Sequence, residues 1–202
     1  MGIRGIARAA LVGTAALALG SLPAAAQTVT FSTTGAFSGN AACTTTVCTF
    51  GDFTLSFTPV GSGTFLSGSL VDFGSFNAQC ISATCAMTSF PSGVTFTLTI
   101  NQTDPSSGSG NFAGTVSGSL AFDPNFSNLT WTPSPSSLDI GLVNYAGIVD
   151  NTGKFNIEGP GHDNPNETVI KGIVTVTPEP STVALMATGM FGLIPVIRRR
   201  RK

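Results

Sequence analysis

The 202-residue sequence predicts an all-β protein: a single, jelly-roll-like β-sandwich ectodomain at residues 27–177, between an N-terminal signal peptide and a C-terminal transmembrane helix. Three observations favour this fold. Apolar and polar residues alternate over short stretches, phenylalanine is abundant between the terminal segments, and helix-forming stretches are few there. About 150 residues suffice to bury one such core, so we expect one domain.

Residues 1–26 are typical of a secretory signal peptide. Two arginines precede a short apolar run, and small residues follow at Ala24 and Ala26. Signal peptidase would cut after Ala26 and leave Gln27 as the first residue. The alternative is an uncleaved anchor helix, but the apolar run is short and Pro23 interrupts it.

The body shows the two-residue period of half-buried strands. The stretches DFTLSFT, TFTLTI, TVSGSLAF and SLDIGL each place apolar side chains on one face, and TVIKGIVTV is a further strand. A turn at residues 150–153 is expected to join YAGIV and KFNI in a hairpin. The predicted inward residues of the four stretches are Phe53, Leu55, Phe57, Phe96, Leu98, Ile100, Val116, Leu120, Phe122, Leu138, Ile140 and Leu142.

Phenylalanine dominates the aromatic content of the body. The chain has 15 phenylalanines, and only Phe191 lies in the tail, so 15 − 1 = 14 belong to the body, beside one tryptophan and one tyrosine. A phenyl ring has no polar tip and belongs in a core. Two half-polar sheets that share such a core make a β-sandwich.

The cysteines form two pairs, each with four residues between its members. An even count in an exported chain indicates disulfides, and three connectivities are open. Similar segments at 43–70 and 80–120 suggest a duplicated loop-plus-hairpin unit and favour local pairing within each segment. A zinc site is the alternative, disfavoured by the oxidising compartment. The cysteines are Cys43, Cys48, Cys80 and Cys85.

Charge is distributed unevenly along the chain. Residues 27–180 contain all ten acids but only two lysines, which gives 2 − 10 = −8. Nucleic-acid binding requires a basic surface, so we expect none.

The C-terminal region is typical of a membrane helix followed by a stop-transfer signal. Residues 181–197 carry no charge and would span about 25 Å as a helix, which is near the lower limit for a bilayer core. The basic tail at 198–202 is expected to stay on the cytoplasmic side, so the body lies outside the membrane. The tail consists of Arg198, Arg199, Arg200, Arg201 and Lys202.

A Pro-Glu-Pro sequence precedes this apolar segment. Pro178 and Pro180 prevent a helix from extending backwards, and Ser181 is suited to cap the helix that follows. Together with Glu179, the apolar run and the basic tail, residues 178–202 resemble a PEP-CTERM sorting signal. The resemblance implies cleavage by exosortase, a membrane-embedded enzyme with a cysteine nucleophile. An ordinary permanent anchor is the alternative.

No catalytic or metal-binding set stands out. His162 is the only histidine, so no triad can be assembled from spacing. Paired carboxylates stay open because acids are scattered among the loops, but no pair is singled out, and we expect no enzyme. An oxygen-rich stretch at 150–167 makes calcium an alternative to plain solvated turns, although it lacks the order of an EF-hand loop. We therefore predict no cofactor and no metal site.

These observations favour an exported, non-enzymatic protein of structural or adhesive type. It would be tethered to the inner membrane and then delivered to the cell envelope, the cell surface or the extracellular matrix, and the resemblance suggests extracellular polysaccharide as a neighbour. The first alternative is a calcium-assisted carbohydrate-binding module that uses Trp131 or Tyr145, the two candidate sugar-stacking residues. The second is a secreted hydrolase, which would need acids clustered in a cleft.

Overall fold

The structure, a computed structural model, describes residues 27–82, 85–122, 128–161 and 167–177, and the regular elements within these ranges are β-strands. A helix that could cross a membrane is absent from this described part. The predicted signal peptide, Pro-Glu-Pro segment and membrane helix lie outside it. The strands are β1 (Thr28–Ser38), β2 (Val47–Phe50), β3 (Phe53–Thr58), β4 (Gly63–Leu66), β5 (Ser69–Cys80), β6 (Thr88–Ser89), β7 (Thr95–Asp104), β8 (Gly108–Leu120), β9 (Asn128–Ser134), β10 (Ser137–Ile140), β11 (Val143–Ala146), β12 (Phe155–Glu158) and β13 (Glu167–Val176).

These strands form two antiparallel sheets. The first has seven strands in the order β12-β9-β8-β7-β1-β4, with β6 beside β8, and the second has six in the order β10-β11-β13-β5-β3-β2. The chain crosses repeatedly between the sheets, as in a jelly roll, but β7, β8 and β9 follow one another as a meander within the first sheet. The all-β prediction is confirmed, and the likeness to a jelly roll is partial.

The two sheets share one aromatic core. Phe96 of the first sheet lies 4.9 Å from Phe57 and 4.7 Å from Phe76 of the second sheet, measured between ring centroids. Such ring pairs add about 0.5–1.5 kcal/mol beyond simple area burial. Gly35 on β1 makes room for them, because a Cβ there would overlap the rings of Phe57 and Phe96. A continuous core therefore holds the sheets face to face.

The predicted inward residues are buried or partly buried within the strands but exposed beyond the strand ends. Phe53, Leu55 and Phe57 are buried as expected, and so are the inward residues of TFTLTI. Phe122 and Leu142, however, are exposed. β8 ends at Leu120 and β10 ends at Ile140, so the alternation has stopped before both residues.

The predicted turn at residues 150–153 forms, but the predicted hairpin does not. The Asp150 amide donates to the Lys154 carbonyl, and the Gly153 amide donates to the Asp150 carbonyl. The strands on either side belong to different sheets, because β11 pairs with β10 and β13 whereas β12 pairs with β9. The sequence of a tight turn was therefore a correct sign of a turn, but this turn lies in a crossover between the two sheets and not in a hairpin.

The two similar segments at 43–70 and 80–120 are not equivalent in the fold. FTLSF forms β3, which lies between β5 and β2 in the second sheet, whereas FTLTI forms β7, which lies between β1 and β8 in the first. After β3 the chain crosses to the other sheet, whereas β7 continues into its neighbour β8. The two segments therefore do not form equivalent units of the fold.

Candidate functional site

One end of the sheets holds both ends of the described body, and we call it the proximal end. Thr28, at the start of β1, lies opposite Leu66 at the end of β4. Val143, at the start of β11, lies opposite Val176 at the end of β13. The proximal end comprises residues 27–30, 66–70, 104–108, 140–143 and 173–177. The opposite, distal end comprises residues 50–53, 80–82, 85–90 and 118–122.

Ser67 connects the first and the last residues of the described body. Its amide donates to the Gln27 carbonyl at 2.8 Å, and its Oγ accepts a hydrogen bond from the Val176 amide at 2.9 Å. The Thr177 amide donates to the Leu142 carbonyl at 2.8 Å. Gln27, the first described residue, and Val176, near the last one, are thus held next to each other through Ser67.

A buried polar network supports this end from inside. Tyr145 donates its hydroxyl proton to Gln102 Oε1 at 2.8 Å, and Gln102 Nε2 donates to the Ser106 carbonyl at 2.7 Å. Both Tyr145 and Gln102 are buried, and burial raises the pKa of Tyr145 above its ordinary value. Because these buried groups are paired, the network fixes the loop at 104–108 onto the core.

Sequence reasoning did not identify Ser67 or Gln102. Gln102 carried a usable signal, because it continues the inward positions of β7 after Phe96, Leu98 and Ile100. A polar side chain at an inward position implies a buried partner. Ser67 carried no comparable signal, since a serine before a glycine is common in any turn.

Exposed apolar side chains surround the proximal end. Leu70 and Ile173 are cross-strand partners on the outer face of the second sheet, while Leu66 and Leu142 lie where the chain leaves β4 and enters β11. We call these four residues the proximal rim. Their exposed fractions are 55% for Leu66, 65% for Leu70, 37% for Leu142 and 44% for Ile173.

The distal half of the molecule contains both disulfides. The structure forms the two local pairs, Cys43–Cys48 and Cys80–Cys85, and no cysteine is left free. All four sulfurs are in disulfides, so the structure favours the disulfide prediction over a zinc site built from thiolates. Nearby, the rings of Phe50 and Phe90 meet edge to face at 4.7 Å between centroids.

Both candidate sugar-stacking residues are buried. Trp131 is fully buried on β9 and donates its indole N–H to the Phe96 carbonyl at 3.2 Å. Tyr145 is part of the network described above. A sugar stacks on an exposed aromatic face, so neither residue can provide that platform in this fold.

The oxygen-rich stretch at 150–167 is described only in part. Asp150 Oδ1 accepts hydrogen bonds from the hydroxyl and amide of Thr152 and from the Lys154 amide, and these bonds lower the pKa of Asp150. Among the described residues, no group of three His, Cys, Asp or Glu side chains could hold a metal. The remaining candidates lie outside them: His162, Asp163, Asn164 and Asn166.

A shallow cleft lies on the second sheet, beside the segment at 58–60. It measures about 180 Å³, and Asp72 and Glu167 line it together with Gly74, Ser75 and Val169. Small-molecule sites usually occupy about 300–1,000 Å³. The cleft therefore lies below the usual volume of a small-molecule site.

The sheet ends where a recognisable segment begins, since Val176 is the last residue of β13. Residues 176–202 match the PEP-CTERM protein-sorting motif. The match includes Pro178–Ser181 and the basic tail, so the resemblance noted in the sequence is confirmed for this segment. The PEP-CTERM motif implies export, a membrane-anchored intermediate and processing by exosortase. Neither the curated proteins nor the solved structures contain a match to the chain.

Proposed function

We propose that the chain is an exported, non-enzymatic protein of structural or adhesive type. It is tethered to the inner membrane by its PEP-CTERM segment, cleaved by exosortase and delivered to the cell envelope or extracellular matrix. The observation that carries this proposal is the match of residues 176–202, which begins at the last residue of a folded all-β body. No cofactor is part of the proposal.

The outer face of the first sheet supports an adhesive role toward neutral polysaccharide. Its central strands present hydroxyl, amide and small side chains in register, as in the pairs Thr99–Thr34 and Thr95–Thr115. No charged residue occupies the outward positions in the middle of these strands. They are Ser32, Thr34, Ala36, Ser38, Thr95, Thr97, Thr99, Asn101, Ser109, Asn111, Ala113, Thr115, Ser117, Thr130, Thr132 and Ser134.

Such a face can exchange hydrogen bonds with sugar hydroxyls without first removing tightly held water from ions. The buried positions of Trp131 and Tyr145 disfavour the alternative of a carbohydrate-binding module that stacks sugars on them. The small size of the cleft beside Asp72 disfavours a secreted hydrolase that acts there. Weak contacts spread over a flat face suit a matrix component better than an enzyme.

Intact-mass measurement of the exported protein in its native host tests the proposal. We expect the mature protein to begin at Gln27 and to lack the apolar segment and the residues 198–202, because exosortase removes them. Deletion of Pro178–Pro180 should leave the full C-terminus on a membrane-bound form. Thr188→Ala, which keeps every part of the signal, serves as the matched control and should be processed normally.

Fractionation of the same cultures tests the destination. The mature form should be found in the envelope or matrix fraction and should sediment with matrix polysaccharide in the presence or absence of a calcium chelator. A mature protein that keeps its basic tail would contradict the sorting step. A fully soluble protein with no affinity for the polysaccharide would contradict the adhesive role and leave the sorting step intact.

A further inference from the structure

The space between the folded body and the predicted membrane segment is very short. Thr177 is hydrogen-bonded to the fold, and the apolar run begins at Ser181, so only three residues lie between them. Even fully extended, three residues reach about 10 Å. The headgroup layer on each side of a bilayer is about 5–8 Å thick. While the chain is tethered, the proximal end must therefore lie against the headgroups.

The other chain end adds a second constraint in the same direction. Gln27 lies at the proximal end, held by the amide of Ser67. Before signal peptidase acts, the apolar run of the signal peptide enters the membrane only a few residues upstream of Gln27. Both tethers therefore leave the fold from the same end, and the body can fold with both in place.

The surface that faces the membrane in this arrangement combines the apolar proximal rim with polar residues that are almost all uncharged. The proximal rim consists of three leucines and one isoleucine, and no lysine or arginine occurs among the residues of the proximal end. Asp104 is its one charged residue. Attraction to anionic lipids is thus not available, and contact with lipid would depend on burial of apolar area.

The distal end also exposes apolar side chains, namely Ile81, Met87 and Phe122. Exposure alone therefore does not identify a docking surface, since single exposed apolar residues are normal. The difference is that neither end of the body leaves the fold at the distal end. The distal residues are accordingly the natural control.

We propose that the proximal rim rests on the lipid surface of the membrane while the chain is tethered. Leu66, Leu70 and Leu142 surround the exit of the chain and enter the headgroup layer, with Ile173 beside Leu70. The rim thus holds the Pro-Glu-Pro segment at the membrane surface, where a membrane-embedded protease works. This inference rests on the proposed function, because it requires the PEP-CTERM segment to be in the membrane.

Fluorescence quenching by brominated lipids in the full chain tests the inference. The full-length protein is reconstituted into zwitterionic vesicles with bromine on the acyl chains. Leu70→Trp reports on the rim, and Met87→Trp is its match at the distal end, with exposed fractions of 65% and 68% for the native side chains. The wild type, whose one tryptophan is Trp131, gives the background from a buried position.

We expect the signal added by Leu70→Trp to be quenched about twofold more than that added by Met87→Trp, with no change at high salt. Leu142→Trp should behave like Leu70→Trp and provides a second reporter if the first variant folds poorly. Equal quenching at the two ends would overturn the inference. A blue-shifted but unquenched signal at the rim would also overturn it, because a second copy of the chain would then cover the rim.

Flotation of the same vesicles separates this inference from the proposed function. If the full chain fails to float with the vesicles, the membrane tether is wrong and the proposed function falls with it. If the chain floats but the rim reporters stay unquenched, the tether is supported and only the lipid contact of the rim is refuted.

Discussion

The proximal end of the sheets is closed by hydrogen bonds, whereas the distal end is closed by a disulfide and aromatic rings. At the proximal end, Ser67 is hydrogen-bonded to both Gln27 and Val176, and in the core below it the Tyr145 hydroxyl donates to Gln102 Oε1. At the distal end, Cys80–Cys85 closes the loop after β5, and the ring of Phe50 packs against that of Phe90.

This difference fits the two environments that the ends would occupy. Disulfides persist in oxidising surroundings outside the cell, into which the distal end would project away from the membrane. Both termini of the body lie at the proximal end, and the hydrogen bonds of Ser67 hold them there without a covalent link. Hydrogen bonds therefore hold the proximal end, where the chain enters and leaves the fold, and a disulfide and aromatic contacts hold the distal end.

Loss of a buried ring at either end should have the largest effect. Phe53→Ala at the distal end and Phe31→Ala next to the proximal end each remove a fully buried ring, so each should lower the free energy of unfolding by about 3–5 kcal/mol. Urea denaturation followed by Trp131 fluorescence should show a single transition for both variants, because the core is continuous. The control Phe122→Ala, at an exposed position, should change the free energy of unfolding by less than about 0.5 kcal/mol. Two separate transitions would show that the ends unfold independently.

Removal of a disulfide should have a smaller effect. Replacing Cys80 and Cys85 by alanine should lower the free energy of unfolding by about 2 kcal/mol, because each bond closes a loop with a sequence separation of only 5. Replacing Cys43 and Cys48 should cost slightly more, since Cys48 is also buried in the core. Thermal and urea denaturation of the oxidised proteins give the comparison. Failure of either variant to fold would mean that a disulfide, and not the core, maintains the sandwich.

Loss of the Tyr145 hydroxyl should have the smallest effect on the free energy of unfolding at neutral pH. Tyr145→Phe leaves Gln102 Oε1 without its donor and should lower the free energy of unfolding by about 1–2 kcal/mol. Gln102→Leu removes this bond and also the bond from Gln102 Nε2 to the Ser106 carbonyl, so it should lower the free energy of unfolding more than Tyr145→Phe does. Urea denaturation of both variants checks this order, and an unchanged stability of Tyr145→Phe would show that its hydroxyl bond contributes nothing.

The same tyrosine makes a pH test possible. Burial raises the pKa of Tyr145 in the folded state, so its contribution to stability is fully present below about pH 10 and falls as the pH rises above that value. The chain has a single tyrosine, so tyrosinate absorbance reports this residue alone. We expect the absorbance to rise only when the wild type unfolds, and Tyr145→Phe to lose less stability between neutral and alkaline pH. Free titration of Tyr145 near pH 10 in the folded protein would contradict its burial.

The sequence predicted the interior of the strands well because alternation is a local pattern. Phe53, Leu55 and Phe57 are buried as the two-residue period requires. The errors fall where strands end, at Phe122 and Leu142, and where a turn leads to the other sheet, at residues 150–153. Which strands become neighbours in these sheets depends on residues distant in the chain, so the local alternation did not reveal it.

The site was predictable only in part, for the same reason. The sorting segment is contiguous in sequence, so its order of prolines, apolar run and cations could be read directly. The arrangement of Gln27, Ser67 and Val176 arises only when the first and last strands meet the turn after β4. The role of Ser67 could not be predicted from its sequence position, because its hydrogen-bond partners are brought to it only by the fold.

The junction at Ser67 also bears on the molecule after processing. Both proteases would cut close to this one residue, so the mature protein would carry its two newly made ends as neighbours on a single side. The rest of the surface, including the hydroxyl-rich outer face of the first sheet, would carry no newly cut chain end. A polymer or fibre that grew from the cut ends would therefore present every copy in the same orientation.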